Sequence, residues 1–161
     1  MAMPSTSTRY SRRDWLSWAA AGAAVLSLPR VAVAHGDSPH LRLWRNPDCG
    51  CCNLWVKHLE NYQFTVQVHD LEDAAALRKK LGLPERFSGC HTAEVGGYVI
   101  EGHVPALDIK RLLHERPNAL GLAVPGMPYG SPGMELGNKK DRYDVLLVNR
   151  DGSASIFKSY L

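Results

Sequence analysis

Residues 41–46, LRLWRN, form a short apolar-rich run that predicts a strand. The pattern then changes period. From Cys51 onward, Leu54, Trp55, His58, Leu59 and Tyr62 recur at three- and four-residue spacing, which predicts an amphipathic helix. FTVQVHD, residues 64–70, alternates Phe64, Val66 and Val68 with polar positions and predicts a second strand. EDAAALRKKLGL predicts a second helix, with acids in its first turn and Arg78, Lys79 and Lys80 in its last, the sense the helix dipole favours. Gly82 and Pro84 end it. TAEVGGYVIEG, residues 92–102, reads as a strand with a Gly-Gly interruption. VPALDIKRLLHER reads as a third helix with Pro105 near its first turn. Periodicity is lost over residues 117–143, which are rich in Gly and Pro; a loop this long in a compact domain is often functional. The closing YDVLLVNRDGSASIFKSYL holds two strand-like runs around an Asp-Gly step, the mark of a hairpin turn. There is no internal repeat.

The order of elements is therefore strand, helix, strand, helix, strand, helix, long loop, hairpin. This is an α/β chain with a mixed central sheet flanked by helices. A β-α-β start with cysteines at the first strand-to-helix junction resembles the thioredoxin fold. That resemblance places the cysteines at the N-terminus of the first helix, where the dipole favours a thiolate. It also places the loop before the third strand beside them, where thioredoxins carry a cis-proline. Here the matching stretch is SGCHT, with Cys90-His91 where the proline would stand.

Composition changes the picture mainly at the N-terminus. Residues 1–34 read as an export signal: Arg12-Arg13 precede an apolar run from Leu16 to Leu28, and Ala32-Val33-Ala34 supplies a small-x-small cleavage pattern. The run is shorter than the ~20 residues a membrane anchor needs, so no membrane association is expected of the mature form. The paired arginines resemble a twin-arginine signal, although Trp15 and Ser17 depart from its usual Phe and Lys. The expected destination is the periplasm. Removing residues 1–34 leaves 15 basic and 15 acidic side chains, so no basic surface points to nucleic acid. The 127 residues left suit one domain with one core. The expected organisation is a cleaved signal over 1–34, a flexible segment over 35–40 and a single domain over 41–161.

The chemistry is concentrated in NPDCGCCNLW, where three of the four cysteines, Cys49, Cys51 and Cys52, fall within four positions. Cys49 and Cys52 have the Cys-x-x-Cys spacing of a redox pair. With Cys90 they offer four sulfurs in one small volume, and soft thiolates select Cu(I), zinc and iron–sulfur clusters. Adjacent Cys51 and Cys52 suit a cluster with bridging thiolates better than one mononuclear tetrahedron. The second half of a zinc Cys-x-x-Cys pair is missing, and the spacing matches no ferredoxin pattern. The alternative keeps Cys49 and Cys52 as a plain redox pair and Cys51 as a small core residue. His91 is the best additional ligand and His103 a further one. Met127 and Met134, each after a glycine in PGMPYGSPGME, are thioethers that suit Cu(I), or fillers of core gaps. His58 reads as a packed core residue, His69 and His114 as surface residues, and His35 as the N-terminal residue after cleavage at Ala34.

Three blocks, NPDCGCCNLWVKHLE, GCHTAEVGGYVIEGHVPA and GLAVPGMPYGSPGME, together resemble the CopG-like copper-resistance proteins, periplasmic proteins of thioredoxin-like fold. The resemblance runs from about Leu41 to Phe157. It implies a copper-binding protein of copper homeostasis with Cys49, Cys51, Cys52, Cys90, His91, His103, Met127 and Met134 as the metal-binding set, and a role in copper redox chemistry. The leading expectation is a periplasmic protein holding Cu(I) in a polynuclear thiolate cluster and interconverting Cu(I) and Cu(II). Its rival is a thiol-disulfide oxidoreductase using Cys49 as attacking and Cys52 as resolving thiol on protein partners. A third reading is a passive chaperone handing copper to a membrane exporter or a copper enzyme.

Overall fold

The computed structural model describes residues 38–161. The expected signal and residues 35–37 of the expected flexible segment lie outside the described residues, and the last residue of that segment, His40, already belongs to the first strand. The chain order is β1 (His40–Arg45), α1 (Gly50–Asn61), β2 (Thr65–Asp70), α2 (Ala75–Leu81), a 3-10 turn (Glu85–Phe87), β3 (His91–Val95), β4 (Tyr98–Glu101), α3 (Ala106–Glu115), β5 (Gly121–Ala123), β6 (Tyr143–Val148) and β7 (Ala154–Tyr160). Seven strands form one sheet in the order β2-β1-β3-β4-β5-β6-β7. β1 and β2 are parallel, as a β-α-β unit requires, and β3 enters antiparallel to β1. β4 and β5 are parallel; the remaining pairs are antiparallel. This is the open, mixed sheet of a thioredoxin-like fold.

Side chains alternate across each strand, so the sheet has two apolar faces. On one, Leu41 and Leu43 of β1, Ala93 and Val95 of β3 and Tyr98 and Ile100 of β4 pack against Trp55 and Leu59 of α1 and Ile109 and Leu112 of α3. On the other, Val99 and Ala123 meet Leu83, Phe87, Leu120 and Val148, with Leu81 at the end of α2 packed alongside. Trp55 ties the two large helices together by donating from Nε1 to the carbonyl of Val104, 2.9 Å away. His58 reinforces this: the amide of Ala106, at the start of α3, donates to its Nε2 at 3.1 Å. The α3 N-cap is Pro105, which has no capping side chain, so His58 supplies an acceptor from another helix. His58 is thus half-buried and structural. Partial burial lowers its pKa and keeps the ring neutral, as an acceptor must be.

Three local readings are refined. The Gly-Gly interruption is a hairpin turn: Gly96 and Gly97 take φ of 57° and 87°, and Val95 pairs with Tyr98. α2 begins at Ala75, so Glu72 and Asp73 precede it; Asp73 Oδ1 accepts from the Ala75 amide at 2.8 Å. Residues 117–143 are not one loop, because β5 interrupts them and joins the C-terminal hairpin to β4. At β5 the strands come so close that a Cβ on Gly121 would overlap the main chain of Val99. Gly121→Ala is therefore expected to cost more than about 3 kcal/mol, read as a lowered denaturant midpoint. An unchanged midpoint would show that β4 and β5 can separate without loss.

Candidate metal centre

The turn after β1 delivers the cysteines. Asp48 donates from its amide to Asn46 Oδ1 at 2.9 Å and Cys49 from its amide to the Asn46 carbonyl at 3.0 Å. Cys49 is the N-cap of α1 with no side-chain capping bond, and Cys51 and Cys52 lie in the first turn. The unpaired amides and the dipole there favour anionic sulfur. Cys49 and Cys52 are joined by a disulfide, while Cys51 and Cys90 are free thiols.

Cys90 arrives from the loop before β3. Its Sγ lies 3.8 Å from Cys51 Sγ and 3.6 Å from Cys52 Sγ, and Cys51 Sγ lies 3.4 Å from Cys49 Sγ. Cys90 Sγ is also 3.2 Å from His91 Nδ1 and 3.0 Å from His103 Nε2. Two donor sets result, Cys49–Cys51–Cys52–Cys90 and Cys90–His91–His103, each with ligand atoms within 4.8 Å of one another and with Cys90 common to both.

Both imidazoles are poised as neutral donors. His103 is buried, and its Nδ1 lies 2.7 Å from the carbonyl of Pro132, an acceptor only. Nδ1 therefore carries the proton, and the Nε2 lone pair faces Cys90. His91 is fully buried, packed on Trp55 at 4.3 Å between centroids and edge-on to His103 at 5.0 Å. Burial first, and His103 second, lower its pKa to about 3. Its Nδ1 faces the Cys90 sulfur, and its Nε2 has no hydrogen-bond partner, a costly state for a buried polar atom. Burial, and then the neighbouring Cys51, push the Cys90 thiol up to about 12 in the ion-free site.

The two methionines approach through the main chain around them. Gly126 donates its amide to the Ser88 carbonyl at 3.0 Å, which brings Met127 beside the loop carrying Cys90; its side chain is 53% exposed. Gly133 lies flat on α1, where a Cβ would stand 2.8 Å from Trp55 N and 2.9 Å from the Cys51 carbonyl, and half-buried Met134 follows it. His69, stacked on Trp44, and exposed His114 stand on β2 and α3, outside both donor sets.

Glu101 is the residue that pattern reading missed. It is wholly buried at the end of β4, and its oxygens accept from the Gly89 amide at 2.7 Å and the Thr92 hydroxyl at 2.6 Å. Arg78 Nη1 of α2 lies 3.6 Å away. This carboxyl holds the main chain one residue before Cys90. The only trace in the sequence is an acid closing the apolar run Tyr98–Ile100.

The fold and the site define a thioredoxin-like protein with a buried Cys/His cluster able to bind a metal ion. A family described as "Protein of unknown function, DUF411" matches residues 87–134. No curated protein matches the chain. Two solved structures do. "Copper resistance protein copG- Form 2" is 44% identical over 77% of this chain and 99% of that one, with a TM-score of 0.74. "Copper resistance protein copG- Form 1" is 45% identical over 75% and 96%, with a TM-score of 0.72. The chain belongs to the CopG family of copper-resistance proteins.

Burial pushes the Glu101 carboxyl up to about 7, against the lowering effects of Thr92, Gly89 and Arg78. A raised carboxyl pKa means the folded state holds the proton more tightly than the unfolded chain does. Its contribution to stability is complete below the ordinary value of 4.5 and is lost as pH rises through about 7. Relative to Glu101→Gln, metal-free protein should lose stability across that window, by at most about 1.4 kcal/mol per pH unit. Parallel pH profiles from denaturant titrations of the two proteins would show that the carboxyl does not titrate there.

Proposed function

We propose that the protein is a periplasmic copper-binding protein of copper resistance, holding Cu(I) in a cluster of the Cys49, Cys51, Cys52 and Cys90 thiolates. The observation that carries this reading is the convergence of four sulfurs and two buried imidazoles, with Cys90 in both donor sets. Sulfur-rich, partly imidazole surroundings suit Cu(I), and so does the pairing with a family of copper-resistance proteins. His91 Nδ1, 3.2 Å from the Cys90 sulfur, and the His103 lone pair complete the donor shell. The thioethers of Met127 and Met134 are the further soft donors of this reading. No helix among the described residues is long and apolar enough to cross a membrane, which fits an exported protein released from its signal.

The disulfide gives the site an electron requirement. With Cys49 and Cys52 bonded, two thiols and two imidazoles remain as donors; reduction releases two more thiolates. Conversely, when the Cys49 and Cys52 thiolates form their bond, the two electrons released reduce two Cu(II) ions to Cu(I). One round of Cu(II) reduction thus draws its electrons from this pair, reopening the bond takes two electrons back from Cu(I) or from an outside thiol, and partners in copper transport or copper enzymes would supply or receive the ion.

A second reading is a thiol-disulfide oxidoreductase acting on protein partners, favoured by the disulfide itself at a helix N-terminus. Cys90-His91 stands against it: thioredoxins keep a cis-proline there, which excludes metal, and a thiol-imidazole pair invites it. The described residues contain no cis peptide bond.

Reduced full-length protein loaded anaerobically with Cu(I) should bind several ions per chain with thiolate–copper luminescence. The disulfide form should bind fewer, and Cys51→Ser should weaken binding at least about 100-fold. Bound copper is read by metal analysis against a Cu(I) chelator. Unchanged stoichiometry and affinity in Cys51→Ser would remove Cys51 from the cluster; absence of tight copper, with insulin reduction that depends on Cys49 and Cys52, would favour the oxidoreductase.

A further inference from the structure

The disulfide leaves a remainder. Of four cysteines, two are bonded and two, Cys51 and Cys90, are free, half-buried and separated by 3.8 Å between sulfurs. They sit on different elements, the first turn of α1 and the loop before β3. The other sulfurs nearest to them, Cys49 at 3.4 Å from Cys51 and Cys52 at 3.6 Å from Cys90, are already bonded to each other. Cys51 next to Cys52 in sequence offers only a strained vicinal bond. The free thiols therefore have each other as their remaining partner.

We propose that Cys51 and Cys90 form a second redox-active pair, so that the chain passes between four thiols and two disulfides and exchanges four electrons. This goes beyond copper binding and needs no metal. Cys51, in the first turn of α1, is the attacking thiol, and Cys90, in the loop before β3, is the resolving one. Against a small disulfide such as oxidised glutathione, Cys51 sulfur attacks one glutathione sulfur, the glutathione S–S bond breaks and one glutathione thiol departs. Cys90 sulfur then attacks Cys51 sulfur, and the second glutathione leaves. Two protein S–H bonds are exchanged for one S–S bond, and both protons depart on the two glutathione thiols. Closing a 3.8 Å gap to a bond of about 2.05 Å requires side-chain rotation by two residues that already face each other. A fully reduced chain then delivers four electrons, where the Cys49–Cys52 pair alone delivers two.

The test uses full-length, metal-free protein equilibrated in glutathione buffers of increasing oxidised fraction, quenched in acid, alkylated and weighed. Alkylated cysteines should fall from four to two and then to none. Trypsin separates the two sites into peptides Asn46–Lys57 and Phe87–Lys110, so the doubly oxidised form must yield these two joined through Cys90. In Cys51→Ser and in Cys90→Ser the second step should vanish while the Cys49–Cys52 bond still forms, with Cys90 alkylated in the first and Cys51 in the second. Three results would overturn the proposal. Oxidation of the unaltered protein could stop with Cys51 and Cys90 both alkylated. It could end in a stable glutathione adduct at Cys51. Or the cross-linked peptide could persist in Cys51→Ser, which would make Cys52 the partner of Cys90. None of these touches Cu(I) binding by the reduced protein, which the anaerobic loading measures separately.

Discussion

Three stretches of main chain meet at one end of the sheet with no space for a side chain between them, and the site depends on that contact. A Cβ on Gly89 would stand 2.7 Å from the Cα of Gly102, and one on Gly102 would run into the Val124 carbonyl. Gly102 also takes φ of 69°, which a glycine adopts without steric cost. The loop carrying Cys90 is thereby pressed against the ends of β4 and β5, while Glu101 fixes it from beneath through the Gly89 amide. One residue further on, the sulfur has nowhere to lie except against the first turn of α1. The glycines bring the loop close, the carboxylate fixes its height, and the helix start supplies the facing thiols.

The same end of the sheet explains why the histidines are available as neutral donors. His91 and His103 leave adjacent strand ends, and both are buried against Trp55 and the Pro132 loop. Burial penalises the imidazolium, so the rings stay neutral and keep a lone pair. The Gly-Pro loop contributes a carbonyl that sets which His103 nitrogen bears the proton, and Gly133 lets that loop lie flat on α1.

Much of this was legible in the amino-acid order. Period-two and period-3.6 patterns marked five strands and three helices, because each buries one face against a core. The resemblance to a thioredoxin fold, with cysteines at a strand-to-helix junction and Cys90 ahead of β3, implied that four sulfurs converge. What escaped pattern reading was non-local. β5 has three residues, too few for any period to show, and exists because Gly121 allows contact with β4. The start of α2 was misjudged because Asp73 takes the Ala75 amide in a turn. Glu101 looks like a solvent-facing strand end until Gly89, Thr92 and Arg78 are seen around it. His103, ranked below His91 on adjacency to Cys90, lies closer to the sulfur, since spatial neighbours across β3 and β4 outrank sequence neighbours.

One sulfur serves both donor sets, and this links their occupancies. An ion among the cysteines and an ion between the histidines would draw on the same Cys90 lone pairs. Linkage then makes the effect mutual: whatever factor the first occupant imposes on the affinity of the second, the second returns to the first. Were both sets filled, a single shared atom, rather than a moving domain, would be the coupling element.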